Sequence, residues 1–561
     1  MSRAPAGDGL LLPILSGVLL FLACPPAELL LPSFIALAPL LVYIAERDRG
    51  PGGRWAATRA GLLTGVVYFG LQLHWMALAL AGESPLAVPA FVLTVLLLAA
   101  LVGAFGLAVH FVRDRLGTPL AVAAACFWTS LEWAQGNLGD LAFPWLGLGT
   151  TLAPFPRVAG AADLVGALGL TTWLAATSGL VAELVLRLRS GPSSGDEARR
   201  AAPEGIPALL LITLVVAGAP VAYGFWRAET LALSSAARVA VVQPDLSRDV
   251  RRDPAVAVDS SLSALRALTP MEGGLDLVVW PEVAVPATLD TATTVRRAIE
   301  EISRSAGAPI LTGAYGLRDV DRGSAGDGGH VGDVGDVGGL GNAAFLVGGG
   351  GFRAGPGSGG RAVGMPRYLK RRLVPFIERV PLGAALRGVG DALVGTSNGP
   401  VRYGDLRPGA EGPLLETANG ADFGVLICFE STFADLSREY RADGADFLVN
   451  ITNDAWYGDA GPFGRTVALW QHPAHMVLRA IETRAGVVRA ANTGFSLLID
   501  PLGRVRASTD LFSRTTLAGP VLTTDVTPLY IRWGDWLPRL SLLAGLALLG
   551  LAASKRVWQH R

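Results

Sequence analysis

Lysine is almost absent from this chain: of 47 basic residues only Lys370 and Lys555 are lysine, and the rest are arginine. A chain that writes arginine so consistently reflects base composition. A lysine kept inside a folded domain then marks a place where chemistry needs an amine, and that points at Lys370. Cysteine is scarce too. Of the three, Cys24 and Cys126 lie in long apolar segments, which leaves Cys428 as the thiol in a soluble-looking context. Charged residues make up only 17% and the formal net charge is zero, so a nucleic-acid surface is excluded as a function class. No spacing of His, Cys and Asp resembles a zinc site, and no cofactor is expected.

What the chain has in quantity is apolar length: half of its 561 residues are hydrophobic and the mean hydropathy is positive. Apolar segments approaching the ~20 residues that cross a bilayer fall at 9–24, 28–45, 60–81, 86–112, 118–134, 160–186, 206–226 and 537–553. The fold class expected is a multi-pass helical membrane bundle of about eight spans carrying an α/β domain. Only Pro25-Pro26-Ala27-Glu28 separates the first two spans, which predicts a tight helical hairpin.

Basic residues orient the bundle. Arg3, the group Arg47, Arg49, Arg54 and Arg59, the pair Arg113 and Arg115, the group Arg187, Arg189, Arg199 and Arg200, and finally Lys555, Arg556 and Arg561 fall on alternate connections. Both termini are therefore expected in the cytoplasm, with 1–226 a bundle of seven helices, 227–536 an extracytoplasmic domain, and 537–561 a last helix and tail. The alternatives weighed are a cleaved signal peptide ending at Phe21-Leu22-Ala23-Cys24 and a transporter. A transport pathway needs paired intramembrane charge, and only Glu132, His74 and Glu183 are candidates, with no obvious pairing among them.

From Arg238 the pattern changes to short apolar strands alternating with helices, the mark of a sheet covered by helices. Strands are expected at 239–244, 275–280, 308–315, 343–347, 421–427, 447–452, 486–491 and 495–500, with helices at 255–268, 291–306 and 466–485. The Gly/Asp/Ser-rich tract 318–364 reads as a long connection with no core of its own.

Three polar residues follow separate elements: Glu282 in W-P-E, Lys370 in Y-L-K-R-R-L-V-P-F-I-E-R-V-P, and Cys428 in I-C-F-E. Alone, Glu282 reads as a helix cap, Lys370 as a solvated charge and Cys428 as a small buried hydrophobe. Together they suit covalent catalysis. A carboxylate takes the thiol proton, an ammonium lowers the thiol pKa and stabilises an oxyanion, and the Phe429 amide supplies a second donor.

These motifs, with N-D-A-W-Y-G at 453–458, resemble the nitrilase or carbon–nitrogen hydrolase superfamily. Adding the membrane bundle, Glu132-Trp133 and Phe143-Pro144-Trp145-Leu146, the chain resembles the apolipoprotein N-acyltransferase family along nearly its whole length. The resemblance implies an αββα sandwich with Glu282 as base, Lys370 as oxyanion stabiliser and Cys428 as nucleophile. It further implies support from Asn342, Glu378, Arg387 and Glu430. Where the family commonly has Tyr after the nucleophile, this chain has Phe429, so a hydroxyl there plays no part. Trp456 and Tyr457 are candidate lipid-lining residues. The implied partners are a phospholipid acyl donor, a diacylglyceryl-modified apolipoprotein acceptor and the bilayer of a bacterial inner membrane. A membrane-tethered amidase and a non-catalytic receptor are the rival readings.

Overall fold

The computed structural model describes residues 8–47, 50–80, 87–189, 196–247, 254–271, 273–318, 339–349, 352–353, 365–375, 377–379, 406–458, 460–461 and 464–558. The chain divides into two compact units, one comprising Ala87–Leu231 and Pro528–Arg561 with the helices that precede residue 81, the other centred on Ala232–Thr527.

The first unit is helical. Five helices among the described residues are long and apolar enough to cross a membrane: Pro51–Ala79, Ala87–Leu116, Ala159–Arg189, Gly205–Thr230 and Trp536–Lys555. Of the other three expected spans, one is shorter, one is broken and one is less apolar. Leu11–Ala23 has 13 residues, 28–45 is split into Leu30–Ile35 and Ala38–Ala45, and Leu120–Asn137 has 18. Glu132 and Glu183 each meet partners outside the set of three candidates. Glu132 accepts hydrogen bonds from Trp128 Nε1 (2.8 Å), Leu148 N (2.6 Å) and Thr171 Oγ1 (2.6 Å). Glu183 takes Arg113 at 2.9 Å and the amide of Leu120 at 2.9 Å. Both carboxylates thus tie helices together, as unsatisfied polar groups are costly away from water.

The second unit is two mixed sheets face to face, with helices outside. Its strands are β1 (Ser234–Gln243), β2 (Leu277–Val279), β3 (Ile310–Leu317), β4 (Leu340–Val347), β5 (Phe352–Arg353), β6 (Arg367–Leu369), β7 (Leu414–Glu416), β8 (Asp422–Ile427), β9 (Phe447–Thr452), β10 (Gly486–Ala491), β11 (Leu497–Ile499), β12 (Val505–Ser508) and β13 (Thr515–Thr523). One sheet has the order β13-β1-β2-β3-β4-β6 and the other β12-β11-β10-β9-β8-β7-β5. In each, three central strands run parallel: β1, β2 and β3, and β8, β9 and β10. These strands are buried throughout or nearly so, because a sheet covered on both faces has no polar side. β13 pairs with β1 and packs across β9, β10 and β11, joining the layers.

Helix Thr293–Ala306 shows how the outer layer is written in sequence. Ile299, Ile302 and Ala306 recur on one face and are buried against the first sheet, and Gly307 ends the helix in the left-handed conformation (φ 66°). Helices Ala434–Ala442 and Ala468–Thr483 cover the second sheet.

Candidate active site

The three singled-out residues follow β2, β6 and β8: β2 and β8 pair in parallel with β3 and β9, and β6, antiparallel to β4 as β4 is to β3, runs in the same sense as β2 and ends at the same edge. Glu282 sits where W-P-E leaves β2 and lies along β3: Trp280 N donates to Leu311 O (2.8 Å) and Gly313 N to Pro281 O (3.2 Å). That close approach requires Gly313, since a Cβ there would come 2.4 Å from Val283 N and 2.6 Å from Glu282 Cα.

Lys370 directly follows β6. Its amide donates to Asn342 O on β4 (2.8 Å) and its carbonyl accepts from Gly409 N (2.9 Å). Its side chain is 1% exposed, and Nζ donates to Glu378 Oε1 at 2.9 Å and Glu282 Oε1 at 3.3 Å. Asn342 Nδ2 bridges the same two oxygens, at 2.7 Å to Glu282 and 3.0 Å to Glu378. Backbone amides take the remaining carboxylate oxygens: Asn453 N reaches Glu282 Oε2 at 2.9 Å and Val374 N reaches Glu378 Oε2 at 2.8 Å. Burial alone would lower the lysine pKa, but Glu378 and then Glu282 outweigh it and hold the amine above its usual range.

Cys428 ends β8 and opens a short 3₁₀ turn, Cys428–Thr432, with φ 53°. A non-glycine residue in the left-handed region costs ~1–3 kcal/mol, and such strain clusters at functional sites. Glu430 holds the turn. Its Oε2 accepts from Ile427 N (2.8 Å), while Oε1 accepts from Tyr368 Oη (2.7 Å), Arg371 N (2.6 Å) and Arg372 N (3.0 Å). One buried carboxylate therefore staples the lysine segment to the cysteine segment.

The thiol is buried. Burial first, and Glu282 second, push its pKa above the ordinary value, and Lys370 only partly offsets them. Lys370 lowers the thiol pKa in the expected direction, but burial and Glu282 outweigh it, and at rest the sulfur keeps its proton beside a carboxylate.

Of the remaining candidates, Phe429 is buried edge-to-face with Phe433 (5.2 Å) and Trp456 is partly buried in the turn Asp454–Tyr457. Arg387 and most of the tract 318–364 lie outside the described residues.

Sequence reasoning missed a second polar layer beneath Cys428. Asp454 accepts from Arg489 Nη2 (2.6 Å) and Thr452 Oγ1 (3.0 Å) and faces His472 Nδ1 at 3.0 Å. Arg489 also bonds Asn450, its register partner across β9 and β10. The opposite ring nitrogen of His472 lies 3.1 Å from the carbonyl of Cys428. Asn450, Asp454, His472 and Arg489 are fully buried. Burial would raise the Asp454 carboxyl, but Arg489 and His472 reverse that and hold it at about 2. The available signal was polar residues inside otherwise apolar elements: Asn450 and Arg489 on core strands, and His472 on a helix with fifteen buried residues.

Comparison with known proteins finds matches in both units. Residues 16–180 match the apolipoprotein N-acyltransferase N-terminal domain, and residues 238–532 match the carbon–nitrogen hydrolase domain. Apolipoprotein N-acyltransferases of Geobacter metallireducens (31% identical, 98% of this chain and 96% of the relative) and Gloeobacter violaceus (30%, 98% and 94%) align along nearly the entire length. An amidase from Nesterenkonia sp. aligns with 54% of this chain and 95% of its own at 18% identity, with a TM-score of 0.32, too loose a likeness to bear on mechanism. With matches in both units and relatives aligned end to end, the chain belongs to the apolipoprotein N-acyltransferase family.

Proposed function

We propose that this enzyme moves an acyl chain from a membrane phospholipid to the N-terminal amine of a diacylglyceryl-cysteine on an apolipoprotein, through a thioester on Cys428. The observation that carries the reading is the buried Glu282–Lys370–Glu378 cluster beside a cysteine on a strained turn.

Glu282 takes the thiol proton as sulfur bonds to the ester carbonyl carbon. An ammonium has three hydrogens, and Glu378 and Glu282 accept two of them. The third serves the developing oxyanion, with the amide of Phe429 as second donor. Collapse expels the lysophospholipid alkoxide, which takes the proton from Glu282 and leaves the thioester. The acceptor amine then attacks, Glu282 takes a proton from it, and collapse returns the pair to the sulfur, which recovers that proton. Burial of Cys428 keeps water from competing with the amine.

Purified protein mixed with phospholipid alone should gain the mass of one acyl chain on Cys428, released by neutral hydroxylamine and absent in Cys428→Ala. A diacylated lipopeptide with a free amine should discharge it, and its N-acetylated form should not. Turnover to free fatty acid at one rate with or without the amine would instead establish a hydrolase.

The topology proposed has eight spans, cytoplasmic termini and an extracytoplasmic domain in the inner membrane, supported by the alternation of basic loops. A reporter fused after Gly191 should be cytoplasmic and one inserted in 325–340 external. Finding both on one side removes this arrangement.

A further inference from the structure

We infer that His472, held by Asp454, is a positioning residue that sets the oxyanion-binding amide of Phe429 by fixing the main-chain carbonyl of Cys428. The inference rests on the acyl-enzyme reading above, in which that amide is the second oxyanion donor.

The carbonyl of Cys428 can only accept, so the His472 Nε2 facing it at 3.1 Å carries the hydrogen and donates it. The Cys428 carbonyl and the Phe429 N–H belong to one rigid peptide plane. Among the described residues the only cis peptide is Pro25-Pro26, so the plane at 428–429 is trans. Its N–H and C=O then point in opposite directions, and a donor that fixes the carbonyl on one side aims the N–H on the other.

The plane needs such a hold. Cys428 is in the left-handed region (φ 53°), where an L-residue does not stay without support, and the turn it opens is a single 3₁₀ segment. Glu430 grips that turn through Ile427 N, one residue before the cysteine. His472 grips it through the cysteine's own carbonyl, so the two contacts bracket the strained residue.

The ring is fixed in turn. Nδ1 faces Asp454 Oδ1 at 3.0 Å, an acceptor like the Cys428 carbonyl, so with both contacts made each ring nitrogen carries a hydrogen; Arg489 Nη2 stands 3.3 Å from the same nitrogen, and Asp454 is locked by Arg489 at 2.6 Å and Thr452 at 3.0 Å. Gly494 leaves the space for this carboxylate, since a Cβ there would come 2.0 Å from Asp454 Oδ2.

The test compares His472→Gln, whose amide nitrogen falls near the position of Nε2, with His472→Asn, whose amide falls near Nδ1 and cannot reach the carbonyl. Full-length protein in detergent is assayed two ways. A p-nitrophenyl ester reports Cys428 acylation, which builds an oxyanion, as a burst of nitrophenolate. Iodoacetamide reports alkylation of the same sulfur by displacement of iodide, which builds none.

The expected result is a burst rate lowered about 10²-fold in His472→Asn, the scale of losing one oxyanion donor, with alkylation nearly unchanged. His472→Gln should recover at least about tenfold of that loss. Equal burst rates in the two variants would overturn the inference, as would a parallel fall in burst and alkylation. So would a folded His472→Gln as slow as the Asn change is expected to be. Absence of any burst from the parent protein would overturn the acyl-enzyme reading and this inference with it.

Discussion

Lys370 stands closer to Glu378 than to Glu282, 2.9 Å against 3.3 Å. The two carboxylates therefore divide the work. Glu378 is the tighter partner of the ammonium, with its other oxygen committed to Val374 N. Glu282 holds a longer contact to the lysine and is the carboxylate whose charge raises the thiol pKa.

That division predicts different losses for two like substitutions. Glu282→Gln removes the base and should slow thioester formation by ~10²–10⁴-fold. Glu378→Gln should leave a base in place but loosen Lys370, with a smaller rate loss and ~2 kcal/mol less stability, the scale of one hydrogen bond to a charged group. Quenched-flow acylation and urea unfolding of both variants check this. Similar kinetic losses, or no stability change in Glu378→Gln, would abolish the distinction.

The state of the thiol gives a pH-dependent prediction. Burial and Glu282 raise the Cys428 pKa and Lys370 opposes them. Alkylation by iodoacetamide requires thiolate, so its rate should keep rising with pH beyond the range where an ordinary thiol levels off. Glu282→Gln removes a charge that disfavours thiolate and should move the midpoint down, while Lys370→Met should move it up. Alkylation thus speeds up at pH 8 in the variant whose acylation slows. A midpoint unmoved by either change would mean that neither charge acts on the sulfur.

Much of this arrangement was legible from residues 239 to 500. W-P-E and I-C-F-E each follow a short apolar strand, the lone folded-domain lysine follows Arg-Tyr-Leu, which no apolar run marks as a strand, and the three converge by topology rather than by sequence spacing. What was missed has physical causes. β13 is nine residues of mostly half-exposed, mixed character including Gly519 and Pro520, so neither an apolar run nor a clean alternation marks it. It is a strand because β1 offers it an edge, a tertiary fact. The 3₁₀ turn at Cys428 and the staple by Glu430 depend on backbone geometry. No motif marks His472, since its partner Asp454 is 18 residues away and meets it through packing.

The buried pair of Asp454 and Arg489 carries the last prediction. An unpaired charge in a core is strongly destabilising, and both side chains here are fully buried. The carboxyl is held at about 2 against an ordinary 3.8. A depressed acid stabilises the fold above its unfolded pKa and loses that stabilisation as pH falls through the folded one. The relevant window is therefore pH 4 down to pH 2, and the shift is worth on the order of 2 kcal/mol. Asp454→Asn removes the charge at every pH, so parent and variant should differ most above pH 4 and converge toward pH 2. Amide hydrogen exchange in peptides covering β9 and β10, read as the parent-to-variant ratio at each pH, cancels the intrinsic pH dependence of exchange. A ratio that stays constant from pH 5 to pH 2 would show that the Asp454 charge contributes nothing to holding these strands together.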